Sequence, residues 1–300
     1  MLQDLLISDD STMMNLAVVG AQSKEVLESV YKSYKLRIAN PILIGDRDLI
    51  NKTGKEMEID LSPFEIIHEE DLSKASTIAV KLVNDKRADF IMKGMVETSA
   101  LLKEVLNKEY GLRTDSLLSH VMVYETPNYH KPLLLTDGGM NIEPNVDEKE
   151  KIIKNAGIVA KALGNNKVKV ALLAAKEKVD KKMSATLDAV ELMDRYSLGN
   201  FPEYMIIEGP ISLDLALSKE SAEIKGYRSR ISGNTDVLLV PNIETGNGIG
   251  KAITYLSNGK SAGIIMGAKV PIVLVSRSDD PDSKLFSIGL GSVISRQNTL

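Results

Sequence analysis

The sequence predicts an α/β protein with two domains and mostly parallel sheets. Short apolar runs alternate with helix-like segments along most of the chain, which is typical of βαβ units. The 300 residues exceed what one hydrophobic core usually organises. The alternation breaks once, where the apolar runs 117–125 and 132–136 are separated by a turn-rich stretch too short for a crossover helix. These two strands are therefore expected to be antiparallel neighbours.

A first βα series precedes this pair of strands. Val26, Val30 and Tyr34 recur at helical spacing, as expected for one face of a helix that packs on a sheet. The strands are expected at 16–20, 41–45, 65–69 and 89–94, and the helices at 22–36, within 47–62 and at 73–84.

A second βα series follows the pair. Ile152, Ala156 and Ala160 lie on one stripe of a helix that Gly164 ends. The helices are expected at 147–163, 184–196, 213–217 and 245–256, and the strands at 168–175, 204–209, 236–241 and 261–267. A buried strand at 270–275 and a helix that starts at 282 or 283 close the chain.

The change of pattern predicts where the domains divide. The first domain is expected to comprise 1–143 together with 272–300, and the second, 144–271, to be inserted within it. The final strand and helix then return to the first domain, and the loop between them faces a cleft between the domains. Such clefts are common sites for small molecules.

Composition excludes several classes of function. The net charge of −4 and the scattered basic residues give no reason to expect nucleic-acid binding. The chain has no cysteine, so disulfides, thiolate metal sites and a cysteine nucleophile are excluded, and any thiol must arrive with a substrate. The three histidines lack metal-ligand spacing, so no metal site is expected. Neither a signal peptide nor a membrane span is present, so we expect a cytoplasmic protein without a membrane partner.

Polar residues cluster just after the predicted strand at 270–275. Ser276 and Arg277 come first, and three carboxylates follow at Asp279, Asp280 and Asp282. Open α/β sheets place their ligands at the carboxyl ends of their strands, and a helix N-terminus here adds donors for an anion. The alternative is a solvated connection with an ordinary helix cap.

Three further stretches are candidate binding loops. Lys93, Thr98 and Ser99 follow a strand and open a helix, which suits a phosphate, although Thr98 or Ser99 as a plain helix cap is the alternative. The GxxxxGK[ST] spacing is absent, which argues against an NTPase. Asn141 lies in a glycine-containing turn that could also be a linker. Residues 245–250 have glycines at relative positions 1, 3 and 5, so a dinucleotide fingerprint is not expected, but backbone donors for an anion or amide are.

These motifs resemble the phosphate acetyltransferase/phosphate butyryltransferase family, and its butyryltransferase branch most closely. The resemblance covers roughly residues 15–297. It is carried by KGMVETSALL at 93–102, LLLTDGGMNIEPN at 133–145, VALLAAKEKVDKKMSATLDA at 170–189, VPNIETGNGIGKAITYL at 240–256 and IVLVSRSDD at 272–280. It implies two α/β/α domains related to the isocitrate and isopropylmalate dehydrogenase fold, with the active cleft between them. It also implies transfer of an acyl group between coenzyme A and phosphate.

The resemblance assigns roles to the candidate residues. Ser276 and Arg277 fall on a pair that serves catalysis and phosphate binding. A family aspartate that acts as the base toward the coenzyme A thiol falls on Asp279, Asp280 or Asp282, of which Asp282 is preferred. Thr98 and Ser99 match a loop on the phosphate side, and Lys93 precedes them. Asn141 is expected to bind substrate, and the loop with Gly246, Asn247 and Gly248 matches a cleft loop.

The expected reaction is direct attack of the coenzyme A thiolate on an acyl phosphate in a ternary complex. Coenzyme A is then a substrate, no tightly bound cofactor is expected, and the partners are butyryl-CoA or another short acyl-CoA and phosphate. The family is typically oligomeric, so a homo-oligomer of two or more chains is expected. The alternatives are a phosphate acetyltransferase, an oxidoreductase of the isopropylmalate type, and a non-catalytic protein that binds acyl-CoA or acyl phosphate.

Overall fold

The computed structural model describes residues 1–7, 13–274 and 280–298, and the chain forms two compact units. The first unit comprises Met1–Ser116 and Ala262–Leu300, and the second comprises Leu117–Ser261. The sequence predicts both divisions between the domains further along the chain, after residue 143 and after residue 271. The difference is explained by the strand pair that follows residue 117, which joins the sheet of the second unit, and by the strand that begins at Lys260, which pairs within the first.

The strands are numbered in chain order. They are Met14–Val19 (β1), Ala39–Gly45 (β2), Glu65–His68 (β3), Phe90–Lys93 (β4), Ser119–Glu125 (β5), Leu133–Thr136 (β6), Val168–Leu173 (β7), Met205–Ile211 (β8), Val237–Leu239 (β9), Lys260–Met266 (β10) and Ile272–Val273 (β11). Most runs of apolar residues therefore form strands where the sequence predicts them, although the strand expected at 270–275 is described only as β11.

The helices follow the same convention. A 3₁₀ turn covers Leu2–Leu6, and the α-helices are Lys24–Lys35 (α1), Arg47–Glu56 (α2), Leu72–Asn84 (α3), Thr98–Val105 (α4), Val146–Ala162 (α5), Ser184–Ser197 (α6), Leu213–Leu217 (α7), Lys219–Ile224 (α8), Ile243–Leu256 (α9) and Pro281–Asn298 (α10). None of the helices in the part of the chain that the structure describes is both long and apolar enough to cross a membrane.

The sheet of the first unit has the order β3-β2-β1-β4-β11-β10. Its strands are parallel except for β10, which runs antiparallel to β11. The chain leaves β1 toward β2 on one side and later adds β4 on the other, so the strand order reverses between β1 and β4. Ligands of open α/β sheets bind outside the carboxyl ends of strands at such a point.

Helix α10 packs closely on the first unit. Its Gly289 faces the 3₁₀ turn, and a Cβ there would lie 2.7 Å from the backbone oxygen of Leu5. A Cβ on Gly291 would lie 2.8 Å from the ring of Phe90 in β4. Ser292 is buried, and its hydroxyl donates to the carbonyl of Ile38, so that polar group is satisfied inside the core.

The sheet of the second unit has the order β5-β6-β9-β7-β8. β5 and β6 are antiparallel, as the sequence predicts, and the remaining neighbours are parallel. The mostly parallel α/β fold is therefore confirmed. The carboxyl ends of β6, β9, β7 and β8 lie along one edge of this sheet, because parallel strands point the same way.

An ion pair with a buried carboxylate and a half-buried lysine lies at the opposite edge of this sheet, where β9 begins. Asp236 is 2% exposed, and its carboxylate accepts from Lys131 Nζ at 2.5 Å and from the backbone N–H of Lys169 at 2.7 Å. The hydroxyl of Tyr129 donates to Thr235 O nearby. Burial, together with the charge of Asp236, raises the pKa of Tyr129 well above its usual value.

Candidate active site

The loop after β4 lies at the point where the strand order of the first unit reverses. The N–H of Gly94 donates to Val19 O and that of Met95 to Gly20 O, both at 2.8 Å, so this loop is fastened to the end of β1. Gly94 is required here, because a Cβ would lie 2.4 Å from Gly20 O. Lys93 is half-buried, and its Nζ donates to Val96 O at 3.0 Å. The predicted phosphate loop is thus hydrogen-bonded to the end of β1 and closely packed.

Thr98 and Ser99 lie in the first turn of α4, directly after this loop. The N-cap residue of the helix is Glu97, whose side chain makes no capping hydrogen bond. The alternative prediction that Thr98 or Ser99 is the helix cap is therefore wrong. Within the described residues, neither hydroxyl has a hydrogen-bond partner, and Ser99 is exposed. Both hydroxyls are thus available to an anion at the start of α4.

The predicted catalytic residues Ser276 and Arg277, and the alternative base Asp279, lie outside the residues that the structure describes. β11 precedes them and pairs in parallel with β4, so the two strands end at the same edge of the sheet. The described chain resumes at Asp280 and enters α10. The structure thus brings the start of α10 and the loop after β4 to one edge.

The two described carboxylates at the start of α10 have different surroundings. Asp280 caps the helix: its carboxylate accepts from Ser283 N at 2.9 Å and from Ser283 Oγ at 2.6 Å. Burial raises the pKa of Asp280, but the hydrogen bonds from Ser283 and from the backbone outweigh it and hold that pKa below its usual value. Asp282, in the first turn of the helix, is exposed like Asp280, but its carboxylate has no hydrogen-bond partner among the described residues. Asp280 is thus committed to the helix terminus, which favours Asp282 as the base.

The loop after β6 lies at the carboxyl edge of the second unit's sheet and is organised around Asp137. This carboxylate is 2% exposed and accepts from the backbone N–H groups of His120, Gly139 and Met140, and from Asn141 Nδ2. Asn141 Nδ2 also donates to Leu118 O at 2.9 Å. Both amide protons of Asn141 are therefore used, one by Asp137 in the same loop and one by Leu118 before β5. Only its carbonyl oxygen remains for the predicted contact with substrate.

The sequence predicts that Gly246, Asn247 and Gly248 lie at the start of a helix at 245–256, and the structure confirms this helix, although the resemblance matches the same stretch to a cleft loop. The three residues lie inside α9, which begins at Ile243. The side chain of Asn242 accepts from the N–H of Thr245 at 3.0 Å and caps the helix earlier than expected. Gly246 is buried, whereas Asn247 and Gly248 are exposed on the first turns.

Two glycines allow α9 and the loop after β6 to pack in direct contact. A Cβ on Gly246 would lie 2.6 Å from Gly138 Cα, and one on Gly138 would lie 2.7 Å from the backbone carbon of Gly246. The two backbones are therefore in direct contact. Gly248, one half-turn further, has no atom within 4 Å of such a Cβ. The structure thus brings Asn141 and the start of α9 to one place on this edge.

A pocket that the sequence did not predict lies at the carboxyl edge of the second unit's sheet, at the ends of β7 and β9. Lys149 is 4% exposed at this pocket and forms an ion pair with Asp188 of α6. The pocket is otherwise apolar and is lined by Lys149, Leu172, Leu173, Ala185, Asp188, Ala189, Leu192, Leu239, Val240 and Pro241. The pair gives no signal in the sequence, because its members belong to different helices.

The glycines of α9 yield a matched pair of substitutions. Gly246→Ala is expected to destabilise the protein by about 1–3 kcal/mol, because the new methyl group must push α9 away from the loop after β6. Gly248→Ala is expected to stabilise it by up to about 1 kcal/mol, because alanine favours a helix and the site is open. Urea unfolding followed by circular dichroism measures both changes, and equal effects of the two substitutions would contradict the packing.

The fold and the arrangement of polar loops at the carboxyl edges of parallel strands define the class of protein. The structure superimposes with a TM-score of 0.58 on a 4-hydroxythreonine-4-phosphate dehydrogenase from Burkholderia phymatum, at 13% identity and covering 95% of this chain and 99% of the other. It superimposes with a TM-score of 0.83 on a branched-chain phosphotransacylase from Enterococcus faecalis V583, at 34% identity and covering 94% and 99%. The first likeness concerns the fold alone.

The sequence comparisons identify the family. Residues 68–290 match the family described as "Phosphate acetyl/butaryl transferase". The phosphate butyryltransferase of Clostridium acetobutylicum is 42% identical over 282 residues, which are 94% of this chain and 93% of that protein. The chain belongs to the phosphate acetyl/butyryl transferase family and is a phosphate acyltransferase. The family predicted from the sequence is thereby confirmed.

Proposed function

We propose that the protein transfers a short-chain acyl group, preferably butyryl, between coenzyme A and inorganic phosphate. The reaction is acyl-CoA + phosphate = acyl phosphate + CoA. The likeness to a phosphate butyryltransferase over nearly the whole chain carries this proposal. The geometry supports it, because the free hydroxyls of Thr98 and Ser99 lie at the edge where β4 and β11 end together. The family also includes phosphate acetyltransferases, so acetyl transfer is the alternative.

The proposed mechanism is direct attack in a ternary complex. Asp282 takes the proton of the coenzyme A thiol, and the thiolate attacks the carbonyl of the acyl phosphate. Arg277 holds the phosphate through two parallel hydrogen bonds and neutralises the charge that develops as it leaves. Ser276 donates to the oxyanion that forms at the carbonyl carbon. Coenzyme A acts as a substrate in this scheme, and no tightly bound cofactor takes part.

We propose a group of binding residues in each unit. In the first, Thr98 and Ser99 donate to the phosphate, while Lys93 contributes mainly its charge, since it also holds its own loop. In the second, the carbonyl oxygen of Asn141 and the exposed surface of Gly248 contact the acyl-CoA. Gly246 and Asn247 complete this group: Gly246 acts through its position in α9, and Asn247 through its exposed side chain. If Gly248 contacts substrate, Gly248→Ala raises the KM for acyl-CoA without a loss of stability.

Release of free thiol tests the proposed function directly. Phosphate is added to butyryl-CoA, and the thiol is followed with a colorimetric reagent while acetyl-CoA and isobutyryl-CoA run in parallel. We expect phosphate-dependent release that is fastest with the four-carbon substrate. Arg277→Ala is expected to raise the KM for phosphate by about 10- to 100-fold, which corresponds to loss of one charged hydrogen-bonded contact.

Each alternative has its own outcome in this assay. Faster release from acetyl-CoA identifies an acetyltransferase. Binding of acyl-CoA without any release, in folded protein, identifies a non-catalytic binding protein and contradicts the proposal. The proposal also includes a cytoplasmic location and an assembly of two or more chains. Size-exclusion chromatography with light scattering measures that assembly, and a monomeric mass at working concentration contradicts it.

A further inference from the structure

The connection from β7 to α6 is a short segment of the second unit that is rich in lysine. Lysines occupy positions 176, 178, 181 and 182, four of seven residues, in a chain whose net charge is −4. Two carboxylates, Glu177 and Asp180, lie among them. We call residues 176–182 the lysine loop. The mechanism described above uses none of its residues.

Asp180 fixes the conformation of the lysine loop. Its carboxylate accepts from Lys176 Nζ at 2.6 Å and from the backbone N–H of Lys182 at 2.9 Å. Its backbone N–H donates to Thr186 Oγ1, and Thr186 Oγ1 donates to Asp180 O, both at 3.0 Å. Thr186 is fully buried in α6, so these two hydrogen bonds hold the loop against the start of that helix. The lysines that follow Asp180 are therefore held at defined positions.

Three ammonium groups of the lysine loop are left without an anion of the protein. Lys178, Lys181 and Lys182 are exposed, and none forms an ion pair with a residue that the structure describes. Lys176 is already paired with Asp180, so Glu177 is the one carboxylate of the loop that remains to offset them. The exposed part of the loop thus keeps an excess of positive charge, which attracts an anion with several negative groups.

The lysine loop leaves the sheet at the edge that carries the proposed acyl-CoA contacts. β7 is parallel to β9, and β9 is parallel to β6, so the lysine loop, the start of α9 and the loop of Asn141 leave neighbouring strands. Neighbouring strands lie about 4.8 Å apart, which separates the ends of β7 and β6 by roughly 10 Å. A molecule with a long arm between its reacting group and its charged end can span that distance.

We propose that the lysine loop binds the phosphates of the nucleotide end of coenzyme A, chiefly through Lys181 and Lys182. This inference rests on the proposed function, because it takes acyl-CoA as the substrate. Coenzyme A carries a 3′-phosphate and a pyrophosphate on its nucleotide, far from its thiol. Lysine ammonium groups act as mobile point charges toward such phosphates. The reacting acyl group can then lie against Asn141 and Gly248 while the nucleotide lies on the lysine loop.

The test compares two charge-matched double variants. Lys181→Gln/Lys182→Gln removes two charges from the lysine loop. Lys161→Gln/Lys167→Gln removes two exposed charges of the same unit, and Lys167 lies at the other end of β7. At low ionic strength, the first variant is expected to raise the KM for butyryl-CoA at least about fivefold with kcat unchanged. The second variant is expected to leave both constants unchanged.

Two probes separate this inference from the proposed function. Adenosine 3′,5′-bisphosphate is titrated calorimetrically into each protein, and the KM for butyryl-3′-dephospho-CoA is compared with that for butyryl-CoA. We expect the bisphosphate to bind the wild type and the control but to lose at least about fivefold in affinity for the lysine-loop variant. The preference for butyryl-CoA over its dephospho form is expected to shrink in that variant alone.

The outcomes are distinguishable. Unchanged bisphosphate affinity and unchanged KM in the lysine-loop variant, with butyryl-CoA still turned over, overturn the inference and leave the acyltransferase standing. Bisphosphate binding that depends on Lys181 and Lys182, without turnover of any acyl-CoA, supports the nucleotide site while the proposed function fails. Equal losses for both double variants indicate nonspecific attraction and also overturn the inference.

Discussion

Asp282→Asn is expected to lower kcat by about 10²- to 10⁴-fold, the usual contribution of a positioned general base. The reason is structural: both carboxylates at the start of α10 are exposed, but Asp280 accepts hydrogen bonds from Ser283, whereas the carboxylate of Asp282 has no hydrogen-bond partner among the described residues. The asparagine side chain keeps the size of the aspartate but does not take the thiol proton. Steady-state rates of thiol release with saturating butyryl-CoA and phosphate measure the change, and circular dichroism verifies the fold.

Asp280→Asn is the matched control for that prediction. Asparagine is as good an N-cap as aspartate, so the start of α10 is preserved and the activity is expected to stay within a few-fold of the wild type. A large loss in Asp280→Asn together with an active Asp282→Asn would show that the base is Asp280. Full activity in both variants transfers the role to Asp279.

Lys131→Met is expected to reduce the free energy of unfolding by about 3–5 kcal/mol at neutral pH. The substitution keeps the apolar stem but leaves Asp236, which is 2% exposed, with the backbone N–H of Lys169 as its described donor. Removing one member of a buried ion pair costs more than the pair contributes, because the remaining charge is both desolvated and uncompensated. The chain has no tryptophan, so urea unfolding is followed by far-ultraviolet circular dichroism.

Two comparisons check this explanation. Lys32→Met breaks a pair with Glu28 in which both side chains are more than 40% exposed, and it is expected to cost less than about 1 kcal/mol. Adding Asp236→Asn to Lys131→Met is expected to restore part of the loss, because the neutral amide still accepts from Lys169 N. Equal costs for Lys131→Met and Lys32→Met contradict the assignment of Asp236 as a buried charge.

The positions of helices and strands follow from the sequence where the apolar pattern is strong. α5 is an example, because its bounds at 146–162 differ by one residue from those predicted. α8 was missed because it is short and polar and buries Ala222 alone. The domain boundary differs because the pattern of β5 and β6 predicts their pairing with each other but carries no information about the sheet they join. That membership depends on β9, which lies far along the chain.

The candidate site was predictable as a set of loops but not in its internal contacts. The order of strands and helices in the sequence is enough to place Thr98 and Asp282 at the carboxyl edge of a sheet. The hydrogen bond that Asn141 donates to Leu118 O is long-range in sequence, and no local spacing reveals it. The early start of α9 did have a local signal, because Asn242 stands three residues before Thr245, but the glycines that follow have low helix propensity and obscure it.

The discontinuity of the first unit has a consequence for how the protein is made. β4 is bonded to β1 on one side and to β11 on the other, and α10 packs on α1 and on the 3₁₀ turn. The ribosome delivers β11 and α10 only after the whole of the second unit, which is one continuous stretch of chain. Nascent chains therefore carry an open edge at β4 during that interval. Such edges pair with other chains, so aggregation during synthesis depends on how fast residues 262–298 follow.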